Sequence, residues 1–164
     1  MKKRIVSRAV AICLMLSCLL GSFTVHAANV SKEDALKAAQ KAVSSNAVLI
    51  DSDWDKDDKE WEFEFRTKDK KTEYDVTVNG KTGKVRQVEM EKKGVKAAKK
   101  YSVSKKAAKK AVTKKFKGAK ITKVKKKTDD GSKVYSISFK TSAFKGCAKV
   151  HGKSGKVIEW KKKF

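Results

Sequence analysis

One pattern of residues occurs twice in this chain, about 72 positions apart, and an internal repeat of that length dictates the architecture before any single motif does. The first copy runs from Val30-Ser31-Lys32-Glu33 through Trp61-Glu62-Phe63-Glu64-Phe65 to Tyr74-Asp75-Val76-Thr77-Val78-Asn79-Gly80-Lys81-Thr82-Gly83-Lys84-Val85. The second runs from Val103-Ser104-Lys105-Lys106 through Tyr135-Ser136-Ile137-Ser138-Phe139 to Ala148-Lys149-Val150-His151-Gly152-Lys153-Ser154-Gly155-Lys156-Val157. The copies share a pattern and differ in charge. Residues 28–97 hold 15 basic and 15 acidic side chains, whereas residues 98–164 hold 23 lysines, no arginine and 3 acids.

Lysine is a hydrated point charge without the two-point geometry by which arginine reads phosphates and base edges. A lysine excess of this size favours unspecific attraction to a polyanion, and its self-repulsion goes beyond what solubility requires. The expected partners are an anionic envelope polymer, a lipid surface contacted peripherally, or an acidic protein; no specific nucleic-acid recognition is expected. The candidate contact residues are Lys105, Lys106, Lys109, Lys110, Lys114, Lys115, Lys125, Lys126 and Lys127. The acidic stretch Asp51–Glu64 is a candidate counter-surface for lysines of the same or a neighbouring molecule.

Residues 1–27 read as an export signal: a basic start, an apolar run from Ala9 to Leu20, and Val25-His26-Ala27 as the cleavage site. Lipid anchoring at Cys18 is the alternative, but Met15-Leu16-Ser17-Cys18 is a poor match to a lipid-attachment site. Cleavage near Ala27 leaves a secreted or envelope protein with Cys147 as its remaining cysteine, so packing must hold the fold without an intramolecular disulfide.

Ser31 and Ser104 are helix caps preceded by the apolar residues Val30 and Val103. Ala35, Ala38, Ala39, Ala42 and Val43 form one helical stripe; Ala108, Ala111, Val112 and Phe116 form the other. Strands follow each helix. Ala47–Trp54 reads as the first, and Trp61, Phe63 and Phe65 alternate with glutamates in the second, as Tyr135, Ile137 and Phe139 alternate with serines in the other copy. The fold class is α+β: two tandem α-β-β-β units at 28–90 and 103–164, each one helix on a small antiparallel sheet, with a short fourth strand or tail at Val85–Val88 and Val157–Trp160. Residues 91–102 are the linker, with Gly94 as its bend and Val95–Lys100 as a candidate helical turn.

Four constellations look like chemistry and read better as structure. Gly80-Lys81-Thr82 and Gly152-Lys153-Ser154 lack the upstream glycine and following helix of a phosphate loop, so Gly80, Gly83, Gly152 and Gly155 are expected to supply positive φ in turns. Asp51, Asp53, Asp55, Asp57 and Glu62 have calcium-loop spacing, but Lys56 stands where that loop needs glycine. Cys147 and His151 on one strand are too far apart for a nucleophile and its base, at about 3.3 Å per residue. Trp61, Phe63 and Phe65 alternate with glutamates that would repel a nucleic acid, which favours core packing. No catalytic set, metal site or cofactor is expected.

A capped, alanine-rich helix followed by strands and closed by Asn79-Gly80-Lys81-Thr82-Gly83-Lys84-Val85, and again by His151 to Val157, resembles the PepSY domain. The family's usual ending carries an acidic residue where this chain has Asn79 and His151. The resemblance implies a non-catalytic module outside the membrane, of a kind proposed to bind or restrain peptidases, so a co-secreted peptidase joins the expected partners.

Overall fold

The computed structural model describes residues 29–164; the expected export signal lies outside the described residues. The chain runs α1 (Lys32–Gln40), β1 (Ala47–Asp55), β2 (Glu60–Thr67), β3 (Thr72–Asn79), β4 (Val85–Lys92), α2 (Lys105–Lys115), β5 (Lys120–Asp129), β6 (Ser132–Lys140), β7 (Lys145–His151) and β8 (Val157–Lys163).

Both helices start where serine can satisfy an orphaned amide. Ser31 Oγ accepts from the Asp34 amide at 3.1 Å and Ser104 Oγ from the Ala107 amide at 3.1 Å. Ala35 and Ala39 of α1 and Ala108 and Val112 of α2 are fully buried, and these small side chains let each helix lie close on the sheet. Leu36, absent from the expected stripe, also packs against the core. Each α1- or α2-capping segment is held by the closing turn of its own repeat. The Val30 amide donates to the Gly80 carbonyl at 2.7 Å, and the Val103 amide to that of Gly152 at 3.1 Å. The sequence motif therefore joins the beginning of a repeat to its penultimate connection.

The two expected small sheets are one. All eight strands form a single antiparallel sheet in the order β1-β2-β3-β4-β8-β7-β6-β5, with β4 paired to β8 across the repeat junction. The expected short fourth strands are full strands of 8 and 7 residues, because each has a neighbour on both sides. Glu89 lies opposite Lys161, with Gln87 opposite Lys163 and Glu91 opposite Glu159 on either side. Glu89 and Lys161 are repeat equivalents, so a pseudo-twofold axis passes through this pair, perpendicular to the sheet. Such an axis places both helices on the same face. One continuous core results, containing Phe63, Phe65, Val76, Val78, Val88 and Met90 from one repeat and Phe116, Ile137, Phe139, Val150 and Trp160 from the other.

The linker is extended rather than helical after its bend at Gly94, whose φ is +68°. Ala98 is buried, its amide bonded to Ser132 Oγ at 2.9 Å and its carbonyl to the Lys133 amide at 2.7 Å. These contacts stabilise an extended path that a helical turn would have to give up.

Candidate functional site

The nine lysines singled out in the sequence do not form one surface. Lys105, Lys106, Lys109, Lys110 and Lys114 project from α2 as exposed side chains, the α2 stripe of Ala108 and Val112 being turned to the sheet. Lys115 ends the same helix, but its ammonium lies 6.0 Å from the Phe116 ring centre and 5.9 Å from that of Trp160. Partial burial of the ammonium, with the charge of Lys92 second, holds its pKa down. Lys126 is on the helix side of β5, its ammonium 4.7 Å from the Tyr101 ring centre. Lys125 and Lys127 face the other way, onto the open face of the sheet.

That open face is divided by charge, a feature which individual motifs did not reveal. On the first repeat it presents Asp51, Asp53 and Asp55 from β1, Glu62 and Glu64 from β2, Asp75 from β3 and Glu89 from β4. A groove of about 310 Å³ runs between several of these carboxylates. Asp75 sits among them: partial burial, then the charges of Glu64, Glu89 and Glu73, raise its pKa. On the second repeat, the face carries Lys123, Lys125 and Lys127 from β5, Lys145 and Lys149 from β7, and Lys161 and Lys163 from β8.

The register explains this division. Phe63 lies opposite Val76 as Ile137 lies opposite Ala148, and Asp51 lies opposite Glu64 as Lys123 lies opposite Ser138. Asp51, Asp53 and Asp55 are therefore the equivalents of Lys123, Lys125 and Lys127, and Glu89 of Lys161. On the open face the two repeats carry opposite charges on a shared scaffold. Alternation in β2, β3 and β6 was readable from the sequence; the equivalences required the pairing register, which shifts by two residues between β1 and β2 and their counterparts.

Some of the cations already have partners. Lys149 pairs with Asp129 at 2.7 Å and Glu159 at 2.6 Å; burial penalises its charge, but the two carboxylates outweigh that and raise its pKa. Lys161 pairs with Glu89 across the repeat junction. Among the described residues, none of the ion pairs uses a lysine of α2.

The remaining sequence candidates have structural surroundings. Asp51, Asp53 and Asp55 lie opposite Glu64, Glu62 and Glu60 in a β-ladder, not in a cation-binding loop. His151 is buried; Nδ1 accepts from the Ser154 amide at 3.2 Å, which leaves Nε2–H to donate to the Lys96 carbonyl at 3.0 Å. It ties the linker to the closing turn. Cys147 is half-buried with its Sγ 3.6 Å from Ser136 Oγ. Phe63 and Phe65 are core, and the Trp61 indole donates to the Val30 carbonyl at 3.3 Å.

Of the turn glycines, Gly83 and Gly155 have the expected positive φ, +66° and +69°. Gly80 and Gly152 do not, which corrects that part of the expectation. They are required by close approach: a Cβ on Gly80 would meet Trp54 at 2.4 Å, and one on Gly152 the Lys133 carbonyl oxygen at 2.4 Å.

A family model described as "Peptidase propeptide and YPEB domain", PepSY, matches residues 29–89 and 102–161. Two solved structures are similar. One, a protein from Clostridium difficile 630, is 18% identical, with a TM-score of 0.37 and coverage of 82% of this chain and 94% of that one. The other, the Bacillus megaterium YpeB C-terminal domain, is also 18% identical, with a TM-score of 0.45 and coverage of 81% and 63%. No curated protein matches the chain.

Proposed function

Because this chain belongs to the PepSY family, with one module in each half, we propose that it is a non-enzymatic binding protein of the cell envelope or exterior, held at an anionic surface by its second module. One observation carries the reading: Lys105, Lys106, Lys109, Lys110 and Lys114 stand exposed along α2 and outside the ion pairs of the described residues. Lys105 and Lys106 occupy the first helical turn, where the macrodipole disfavours cations by a few tenths of a kcal/mol each. A polyanion laid along α2 would relieve both that penalty and the lysines' mutual repulsion. The attraction is of the unspecific kind that phosphate-bearing polymers and anionic lipids share.

The test is co-sedimentation with vesicles of anionic or zwitterionic lipid, and with a phosphate-bearing wall polymer, using the wild type and a variant with Lys105, Lys106, Lys109 and Lys110 changed to Gln. The wild type should bind the anionic targets and ignore the zwitterionic one. Equal binding by the variant would refute the assignment to α2.

The description of the family, which includes peptidase propeptides, favours a second reading in which the protein restrains a co-secreted peptidase. Stoichiometric inhibition of such a peptidase, unaffected by the α2 substitutions, is what that reading predicts.

A further inference from the structure

Among the described residues the fused sheet ends in two edges that no further strand pairs, β1 on one side and β5 on the other. An edge strand offers a row of free backbone donors and acceptors to any extended partner, and proteins usually blunt it with charge. Here the two edges are charged with opposite signs. On the open face β1 presents Asp51, Asp53 and Asp55, while β5 presents Lys123, Lys125 and Lys127 at equivalent positions. Two β1 edges repel each other, and so do two β5 edges. A β1 edge and a β5 edge attract.

The molecule already contains this junction once. At its centre β4 meets β8 antiparallel about a pseudo-twofold axis, with acidic Glu89 of the first repeat against Lys161 of the second. The β1 and β5 edges have the same relation. Strands alternate in direction across the eight positions, so a second copy displaced along the sheet sets its β5 antiparallel to β1 with all helices on one side. If Asp53 faces Lys125, then Asp51 faces Lys127 and Asp55 faces Lys123. Because the paired residues are repeat equivalents, their backbone groups have matching orientation for the ladder. Val48, Leu49 and Ile50 continue the β1 edge and are 45%, 37% and 42% exposed, an apolar run that an edge meant to stay free would not carry.

We propose that the β1 edge is a docking site for the β5 edge of a second copy of this chain, joining the two sheets. The contact is heterologous and leaves one β1 and one β5 edge free, so it extends into open chains of molecules. It occupies a different surface from the α2 lysines and is independent of the anionic-surface reading.

The test is sedimentation velocity of the protein at low and high salt. Three forms are compared: wild type, a β1 reversal (Asp51→Lys, Asp53→Lys, Asp55→Lys) and a β5 reversal (Lys123→Asp, Lys125→Asp, Lys127→Asp). Circular dichroism and thermal melting establish that each variant is folded. The wild type should associate with concentration at low salt and dissociate at high salt, since exposed charge pairs are screened. Each reversal alone should weaken association by at least about tenfold, as like charges then face each other. An equimolar mixture of the two reversals should associate again, because each supplies the charge the other lacks. A strictly monomeric wild type at low salt overturns the proposal. So does association that survives both reversals, or a mixture that stays monomeric while both variants are folded.

Discussion

Gly80 and Gly83 stand three residues apart in one turn and do different work. Gly80 admits the Trp54 ring and the Lys59 carbonyl, whereas Gly83 takes a left-handed conformation next to Val30. A Gly80→Ala substitution should therefore cost about 1–3 kcal/mol by overpacking, and Gly83→Ala about 1–2 kcal/mol by backbone strain; denaturant melts compare the two. The sequence marked the position as a turn because glycine at that spacing suits few alternatives. It did not show that Gly80 is there for room, because Trp54 arrives from a different strand. His151 is a parallel case: His151→Ala removes an acceptor for Ser154 and a donor for Lys96 and should lower stability by about 1–3 kcal/mol. For Asp75 the sign depends on pH. Its folded pKa is raised above the ordinary value of 3.8, so the folded state favours the protonated carboxyl, and the benefit is lost as pH rises through the folded value. Asp75→Asn should accordingly melt at a higher temperature than wild type near neutral pH, and the difference should vanish below about pH 3. A variant less stable than wild type at neutral pH would contradict the crowding of carboxylates described on this face.

At the scale of elements, the helices were legible because their signals are local: a serine cap, a preceding valine and a buried stripe within eleven residues. The last strands were legible only in part. Val85 and Val88 stand three residues apart and join one ladder only through an irregularity opposite Thr77 and Val78; the remainder of β4 is strand because β8 lies beside it, and nothing in residues 89–92 names that partner. The linker shows the same limit, since burial of Ala98 and its bond to Ser132 outweigh the weak helical preference of Val95–Lys100. The Glu89–Lys161 pair stands at the centre of the β4–β8 ladder. Reversal of either member should destabilise the fold by about 1 kcal/mol, and the double exchange Glu89→Lys with Lys161→Glu should recover most of the loss in a double-mutant cycle. Additive losses would mean that the register is set by Met90 and Trp160 on the other face rather than by charge.

For the whole molecule, the two repeats share a core while their open faces differ in sign. The charge imbalance was visible in the sequence as a count, but a count has no direction. Folding distributes the lysines over two opposite sides of the sheet: among the described residues the α2 lysines stand outside the ion pairs, whereas on the open face Lys149 and Lys161 are paired and Lys123, Lys125 and Lys127 are not. The nine lysines grouped by sequence therefore separate: five stand exposed along α2, Lys125 and Lys127 lie on the open face, and Lys115 and Lys126 lie near aromatic rings. The measurement that tests the polyanion reading most directly is the dependence of affinity on salt for a defined linear polyphosphate. With the α2 face as the binding surface, log affinity of the wild type falls linearly with log salt, and each α2 lysine changed to Gln reduces the slope by about 0.7–0.9. A slope that stays the same after Lys105, Lys106, Lys109 and Lys110 are all neutralised would contradict it.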